Sequence, residues 1–302
     1  MMPGAVDVHQ HLWPEQFVEA LRCRKQPPRL AGPTLQLPGE PDLRLDLADH
    51  DLARRAGVVR ADHVDLALVS LSSPLGVEWL PPDEAAPLLD AYHDGVLALP
   101  DPFGAWAAAC LSELDPVACE KELDRGCVGL QLPATVLLDG AGYDRVGPLL
   151  DLLAARDQPL FVHPGPAASS AAEVPPWWPA VVPYVQQMHA AWYAFAVYGR
   201  PRYPGLRVCF AMLAGLAPVH GERFTARGGG RRIIDADVFL ETSSYGPRGV
   251  DAVVRELGID VVVHGSDRPY AEPADPCLGA AAAHTIRSTN PRRLLGRRGD
   301  PR

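Results

Sequence analysis

Three short segments of the sequence place histidine or aspartate where an apolar run of strand length ends. They are Asp7-Val8-His9-Gln10-His11, Phe161-Val162-His163-Pro164-Gly165 and His264-Gly265-Ser266-Asp267-Arg268-Pro269. Alternate side chains of a strand point to the same face, so His9 and His11 can bind one ion together. Imidazole and carboxylate groups are ligands for divalent metals. If the fold brings the segments together, we expect one metal ion to be bound by four side chains: His9, His11, His163 and Asp267.

Eight apolar runs of strand length recur along the chain and are the elements that must position these side chains. They cover residues 5–9, 64–71, 104–110, 128–132, 159–163, 206–213, 238–242 and 260–265. Helical patterns lie between them, among others at residues 82–97, 116–125, 145–156, 178–198 and 247–257. This alternation is typical of a parallel sheet covered by helices. Eight such units in 302 residues predict an α/β fold, a (β/α)8 TIM barrel, whose strand ends converge on one face.

An open, doubly wound sheet is the alternative to the barrel. No glycine-rich dinucleotide-binding motif follows any predicted strand, which weakens this alternative. In a closed barrel the eighth strand lies beside the first, so Asp267 would stand next to His9 and His11. An open sheet gives no such reason for the segments to meet.

Two connections are much longer than the others and follow the first and fifth predicted strands. They span residues 12–42 and 164–183, and the second contains Trp177. Long loops in compact domains often act as lids over a binding site. We therefore predict one domain over residues 1–302, with both loops extended over the strand ends that carry histidine.

Composition excludes several classes of function. A net charge of −9 argues against nucleic acid as the main partner, and no apolar stretch is long enough to span a membrane. The six cysteines form no C-x-x-C pair, which is typical of reduced thiols in a cytoplasmic protein. No basic segment with an apolar core precedes the first predicted strand, so no secretory signal is expected. A small-molecule substrate is the expected partner.

The motifs resemble those of the amidohydrolase superfamily, in its amidohydrolase-related branch, which includes aminocarboxymuconate-semialdehyde decarboxylase, aromatic-acid decarboxylases and lactone hydrolases. The resemblance rests on His9-Gln10-His11, His163-Pro164, Gly265-Ser266-Asp267-Arg268-Pro269 and the closing Asn290-Pro291-Arg292-Arg293-Leu294-Leu295-Gly296. It covers essentially the whole chain. It implies that the three histidines are metal ligands and that Asp267 is a ligand that also moves protons. It also implies a homodimer.

The chain departs from the family pattern in two places. Binuclear members bridge two metals with a carboxylated lysine on strand four, but Lys25 and Lys121 are the only lysines and neither lies on that strand. One metal is therefore expected. Related enzymes also carry a catalytic histidine at the end of strand six, where this chain has Met212, and a thioether is no general acid or base. His220, eight residues further on, is the candidate replacement.

Five further residues near the predicted strand ends have candidate roles. Trp13, Trp177 and Arg268 could contact substrate, the tryptophans as walls of a flat pocket and the arginine by binding a carboxylate. Packing of a lid and an ion pair at the rim are the corresponding structural alternatives. His264 and Asp7 are expected to support the metal ligands rather than bind the ion.

The leading hypothesis is a mononuclear metal-dependent hydrolase, with Zn²⁺ as the expected ion and an ester, lactone or amide as substrate. The ion would activate water, and Asp267 would carry the proton to the leaving group. The alternative is a metal-dependent decarboxylase of an aromatic or unsaturated acid, in which Asp267 protonates the carbon that loses CO2. A third hypothesis, prompted by Met212, is a barrel that binds a ligand without catalysis.

Overall fold

Eight parallel strands form the centre of the molecule in the computed structural model, which describes residues 4–168, 174–231 and 233–296. Together with three short antiparallel strands, the strands of the described residues are, in chain order, β1 (Val6–Gln10), β2 (Arg29–Ala31), β3 (Thr34–Gln36), β4 (Leu43–Arg44), β5 (Leu66–Val69), β6 (Phe103–Ala105), β7 (Leu130–Pro133), β8 (Leu160–His163), β9 (Val208–Phe210), β10 (Val238–Glu241) and β11 (Val262–Val263). Each parallel strand lies within, or within one residue of, a predicted run.

Backbone hydrogen bonds close the parallel strands into a barrel. One sheet has the order β1-β5-β6 and another the order β11-β10-β9-β8-β7. Ala107 follows β6 and bonds to β7, accepting from Gln131 N at 2.8 Å. The segment after β11 bonds to β1, with Asp267 N donating to His9 O at 2.8 Å and His11 N donating to Arg268 O at 2.7 Å. The predicted TIM barrel is confirmed.

Helices connect the strands and cover the barrel. In the described residues they are α1 (Glu15–Cys23), α2 (Leu52–Ala61), α3 (Pro82–Leu97), α4 (Pro116–Arg125), α5 (Gly140–Arg156), α6 (Trp178–Val181), α7 (Pro183–Ala194), α8 (Gly221–Ala226), α9 (Pro247–Leu257), α10 (Ala280–His284) and α11 (Asn290–Leu295). Local chemistry sets several boundaries. The Asp115 side chain accepts from the first free N–H groups of α4, and Pro116 occupies the position where no donor is needed.

The barrel interior is apolar immediately below the strand ends. Phe161 on β8 is fully buried and stacks on Trp106, with ring centroids 5.3 Å apart. The indole N–H of Trp106 donates to Val8 O on β1 at 2.9 Å, so the buried tryptophan has no unpaired donor. Phe161 also contacts the rings of His9 and His163. The metal-ligand candidates His9 and His163 therefore pack against a layer of aromatic rings inside the barrel.

Both long connections contain secondary structure. Residues 12–42 hold α1, β2 and β3, and β2, β3 and β4 form a small antiparallel sheet. Residues 164–183 hold α6, while residues 169–173 of that prediction lie outside the described residues. The assignment of residues 1–302 to one domain stays a prediction. No helix in the described ranges is both long and apolar enough to cross a membrane.

Candidate metal centre

The four predicted ligands come together at the carboxyl-terminal face of the barrel. One ligand atom from each of His9, His11, His163 and Asp267 lies within 4.8 Å of the others. His9 Nε2 and His11 Nε2 are 3.0 Å apart, and they lie 3.5 and 3.2 Å from Asp267 Oδ1. All three imidazoles are buried. β1 supplies His9, and His11 follows its last residue; β8 supplies His163, and the segment paired with β1 supplies Asp267.

The other ring nitrogen of each histidine faces a hydrogen-bond acceptor. His9 Nδ1 lies 3.1 Å from Glu241 Oε1, His11 Nδ1 lies 2.9 Å from Ser70 O, and His163 Nδ1 lies 2.8 Å from Pro164 O. Because a carboxylate or carbonyl only accepts, each Nδ1 carries the proton and each Nε2 presents a lone pair. Two lone pairs 3.0 Å apart repel unless a cation or proton lies between them. The donor set therefore fits a divalent metal.

The charges of the cluster favour binding of a cation. Burial lowers the pKa of His11 and of His163, which keeps both imidazoles neutral. Burial also lowers the pKa of His9, but the carboxylates of Asp267 and Glu241 outweigh it and raise that pKa above 6.5. Burial raises the pKa of Asp267, yet the three histidines outweigh it and hold that pKa below 3.8. The site thus keeps an ionised carboxylate beside the neutral imidazoles of His11 and His163, and the negative charges around His9 favour a cation there.

Asp7 joins β1 to the segment after β11, which between them carry three of the four ligands. Its Oδ1 accepts from His9 N at 3.1 Å and from Ser266 N at 3.0 Å, and its Oδ2 accepts from Gln10 Nε2 at 2.8 Å. His264 Nε2 lies 3.9 Å from the same carboxylate. The structure thus places Asp7 and His264 behind the ligands, at the junction of β1 with the segment after β11.

Two supporting residues were missed by the sequence analysis. Glu241, the last residue of β10, is fully buried and accepts from His9, Met212 N and Ser243. A carboxylate at the end of an apolar strand was an available signal. Arg55 on α2 is also buried and donates to His11 O at 2.6 Å, but nothing in its helix distinguishes it from a surface arginine.

The centre lies at the bottom of a cavity of about 470 Å³. Trp13 lines this cavity, and its ring stacks on His50 at 4.8 Å between centroids. Both long connections contribute walls, through Leu35 and Leu37 from the first and Pro179 and Val181 from the second. Among the described lining residues there is no lysine or arginine. The cavity suits a small, largely apolar molecule with one group that can bind a metal.

Three other predicted site residues are not brought to the cavity. The Arg268 guanidinium forms ion pairs with Asp62 at 2.9 Å and with Glu272 at 2.8 Å. This arrangement is the structural alternative to binding of a substrate carboxylate by Arg268. Trp177 is 56% exposed and packs against Trp178. His220 is exposed beside the His189 ring, 5.1 Å away between centroids. None of the three lines the cavity among the described residues.

Met212 does line the cavity, at the end of β9 in the sixth barrel position. It opens a turn in which five successive residues have positive φ, from 54° at Met212 to 59° at Leu216. Left-handed backbone costs a non-glycine residue roughly 1–2 kcal/mol. The Met212 N–H donates to Glu241 Oε1 at 2.7 Å, so the carboxylate that holds His9 also anchors this turn.

Comparison with solved structures places the fold among known enzymes. A 2,6-dihydroxybenzoate decarboxylase from Rhizobium matches with a TM-score of 0.70 and 19% identity, covering 97% of this chain and 99% of that one. A dihydroxybenzoic acid decarboxylase from Polaromonas sp. JS666, with bound manganese and 2-nitroresorcinol, matches with a TM-score of 0.67 and 19% identity over 97% of both chains. An amidohydrolase II matches with a TM-score of 0.74 and 19% identity over 96% and 99%. No family model and no curated protein matches the sequence.

These matches correct the leading hypothesis. A hydrolase was the main prediction, and it is wrong, because the matching structures are mostly decarboxylases of aromatic carboxylic acids. The physical reason for the error is that three histidines and one aspartate around an ion serve either reaction, so the ligand motifs do not distinguish them. The chain has the barrel fold that the amidohydrolase II and the decarboxylases of aromatic acids share.

Proposed function

We propose that this protein is a metal-dependent decarboxylase of a small aromatic carboxylic acid and a member of the amidohydrolase-related branch. The observation that carries the metal dependence is the four-ligand cluster at the bottom of a mostly apolar cavity, and the choice of decarboxylation over hydrolysis rests on the similar solved structures. The likeness in fold to decarboxylases of dihydroxybenzoic acids supports it.

The metal would be held by Nε2 of His9, His11 and His163 and by the carboxylate of Asp267. When bound, it would supply positive charge for the acid's carboxylate. Three imidazoles and a carboxylate suit zinc, the ion expected from the sequence, and also manganese, which the Polaromonas enzyme contains. Loading with each metal in turn decides between them.

The protein's own groups would bind the acid and move one proton. Trp13 and Met212 would contact the ring, while the two long connections keep water from it. Asp267, which is ionised in the free site, would take up one proton from solvent and deliver it to the ring carbon that carries the carboxylate. The bond from that carbon to the carboxylate then breaks, its electron pair returns to the ring, and CO2 leaves. One proton is consumed for each CO2 released.

The test is release of CO2 from hydroxybenzoic acids by protein loaded with zinc or manganese. In D2O the product should carry one deuterium at the carbon that lost CO2. Asp267→Asn should lower kcat by roughly a hundredfold or more, because it removes the proton donor. Asp260→Asn, an exposed carboxylate just before β11, is the matched control and should keep full activity.

Two results would contradict the proposal. Full activity of Asp267→Asn would assign the proton transfer to another group. Acids that bind the loaded protein without releasing CO2 would favour the ligand-binding barrel that Met212 suggests.

A further inference from the structure

One pair of polar side chains joins the first long connection to the start of α7 above the cavity. Glu40 lies between β3 and β4, and Tyr184 is the second residue of α7. The Tyr184 hydroxyl donates to Glu40 Oε1 at 2.7 Å, and Ala167 N donates to the same oxygen at 3.4 Å. Both side chains line the cavity. A carboxylate is therefore fixed in the cavity wall, on segments separate from the strands that carry the metal ligands.

The surroundings of Glu40 make it the main polar contact on that side of the cavity. Neighbouring segments contribute Leu37, Leu43 and Val181 to the same wall. Burial raises the pKa of Glu40, and the hydrogen bonds from Tyr184 and Ala167 act in the opposite direction. A carboxylate oxygen among apolar side chains is stabilised by a hydrogen bond from a donor on the ligand. The same carboxylate repels a second anion.

We propose that Glu40, oriented by Tyr184, is a specificity residue that selects aromatic monocarboxylic acids with a hydroxyl or amino donor on the ring and rejects dicarboxylic acids. The inference rests on the proposed function, because it assumes that the acid's first carboxylate faces the metal centre. A second carboxylate would then meet Glu40 and no lysine or arginine among the described lining residues. A ring hydroxyl or amino group would instead donate to the carboxylate.

The experiment measures binding by calorimetry to the metal-loaded protein, with three matched ligands: 4-hydroxybenzoate, 4-methoxybenzoate and terephthalate, together with their 3-substituted isomers. A hydrogen bond to a charged group should favour hydroxy over methoxy ligands by about tenfold. Glu40→Leu removes the acceptor and should abolish this preference. Glu40→Gln removes only the charge, so terephthalate or isophthalate should gain about tenfold in affinity. Tyr184→Phe should reduce the preference in part.

Asp42→Asn is the matched control, since Asp42 is an exposed carboxylate two residues from Glu40 and outside the cavity lining. It should bind all ligands as the parent protein does. An unchanged hydroxy preference in folded Glu40→Leu would overturn the inference even if CO2 release is observed. A lost preference together with no CO2 release would support the inference and contradict the proposed function. If no acid binds the loaded protein, both are overturned.

Discussion

At the scale of single residues, the metal centre depends on groups that never touch the ion. Glu241 illustrates this, because one buried carboxylate orients His9 and also anchors the left-handed turn that begins at Met212. Outer partners of this kind set the tautomer and direction of a ligand imidazole. The four ligands could be predicted from sequence because each stands where an apolar run ends. Glu241 stands at such a position too, but a single carboxylate carries no spacing signal.

Glu78, in the connection that follows β5, offers a test of buried charge. It is fully buried, its Oε1 accepts from the Ser73 hydroxyl, and its Oε2 and Gln131 Oε1 have no partner within the described part of the chain. Burial raises the pKa of Glu78 from 4.5 to about 7, although the hydrogen bond from Ser73 opposes the shift. The protonated acid can donate where the carboxylate cannot.

The sign of the pH effect follows from linkage. Between pH 4.5 and about 7 the native state binds more protons at Glu78 than the unfolded state does. The free energy of unfolding contributed by this group is therefore complete below pH 4.5 and is lost as pH rises through about 7. Glu78→Gln should escape this loss, which is on the order of 3 kcal/mol. Urea unfolding of metal-free protein at pH 5 and pH 8 measures it. A stability difference that does not grow with pH, or that Glu113→Gln at an exposed site reproduces, would contradict the assignment.

At the scale of elements, the sequence predicts regular segments well and irregular ones poorly. α3, α4 and α9 begin and end at the predicted residues, because proline and capping residues mark their first turns. The predicted strand at 206–213 is shorter in the structure, since the left-handed turn starts at Met212. The sheet of β2, β3 and β4 was missed because strands of two or three residues are too short for a period to be visible.

The segment after β11 packs so closely against β10 that a methyl group added at Gly265 should weaken metal binding. A Cβ at Gly265 would overlap the Glu241 carboxylate that holds His9. Gly265→Ala should therefore lower metal affinity by roughly tenfold to a hundredfold. Gly57→Ala is the matched control, because a Cβ there meets nothing within 4 Å and alanine favours helix α2, with a gain of about 0.5–1 kcal/mol. Metal titration and thermal unfolding measure both. Unchanged metal affinity in Gly265→Ala would show that the carboxylate's position is not critical.

At the scale of the whole molecule, the barrel explains why residues 259 positions apart lie at one centre. Asp7 and Ser266 belong to the first and eighth barrel positions and bond directly, at 3.0 Å. The sequence could predict this closure from the number of strands. It could not predict the lining of the cavity, because the lids that form it pack through side chains with no periodic pattern, as Glu40 and Tyr184 show.

A bound metal would also tie these distant strands together and stabilise the native state. Its ligands come from β1, from β8 and from the segment after β11, so unfolding would release the ion. An ion at a hundred times its Kd stabilises a protein by about 2.7 kcal/mol. For a chain of this size that corresponds to a rise in Tm on the order of 5 °C. Scanning calorimetry should show this rise in the parent protein when zinc or manganese replaces a chelator, and no rise in the His9→Ala/His11→Ala double variant. An equal rise in both would place the stabilising ion elsewhere, and the four residues would then be a hydrogen-bonded cluster without a metal.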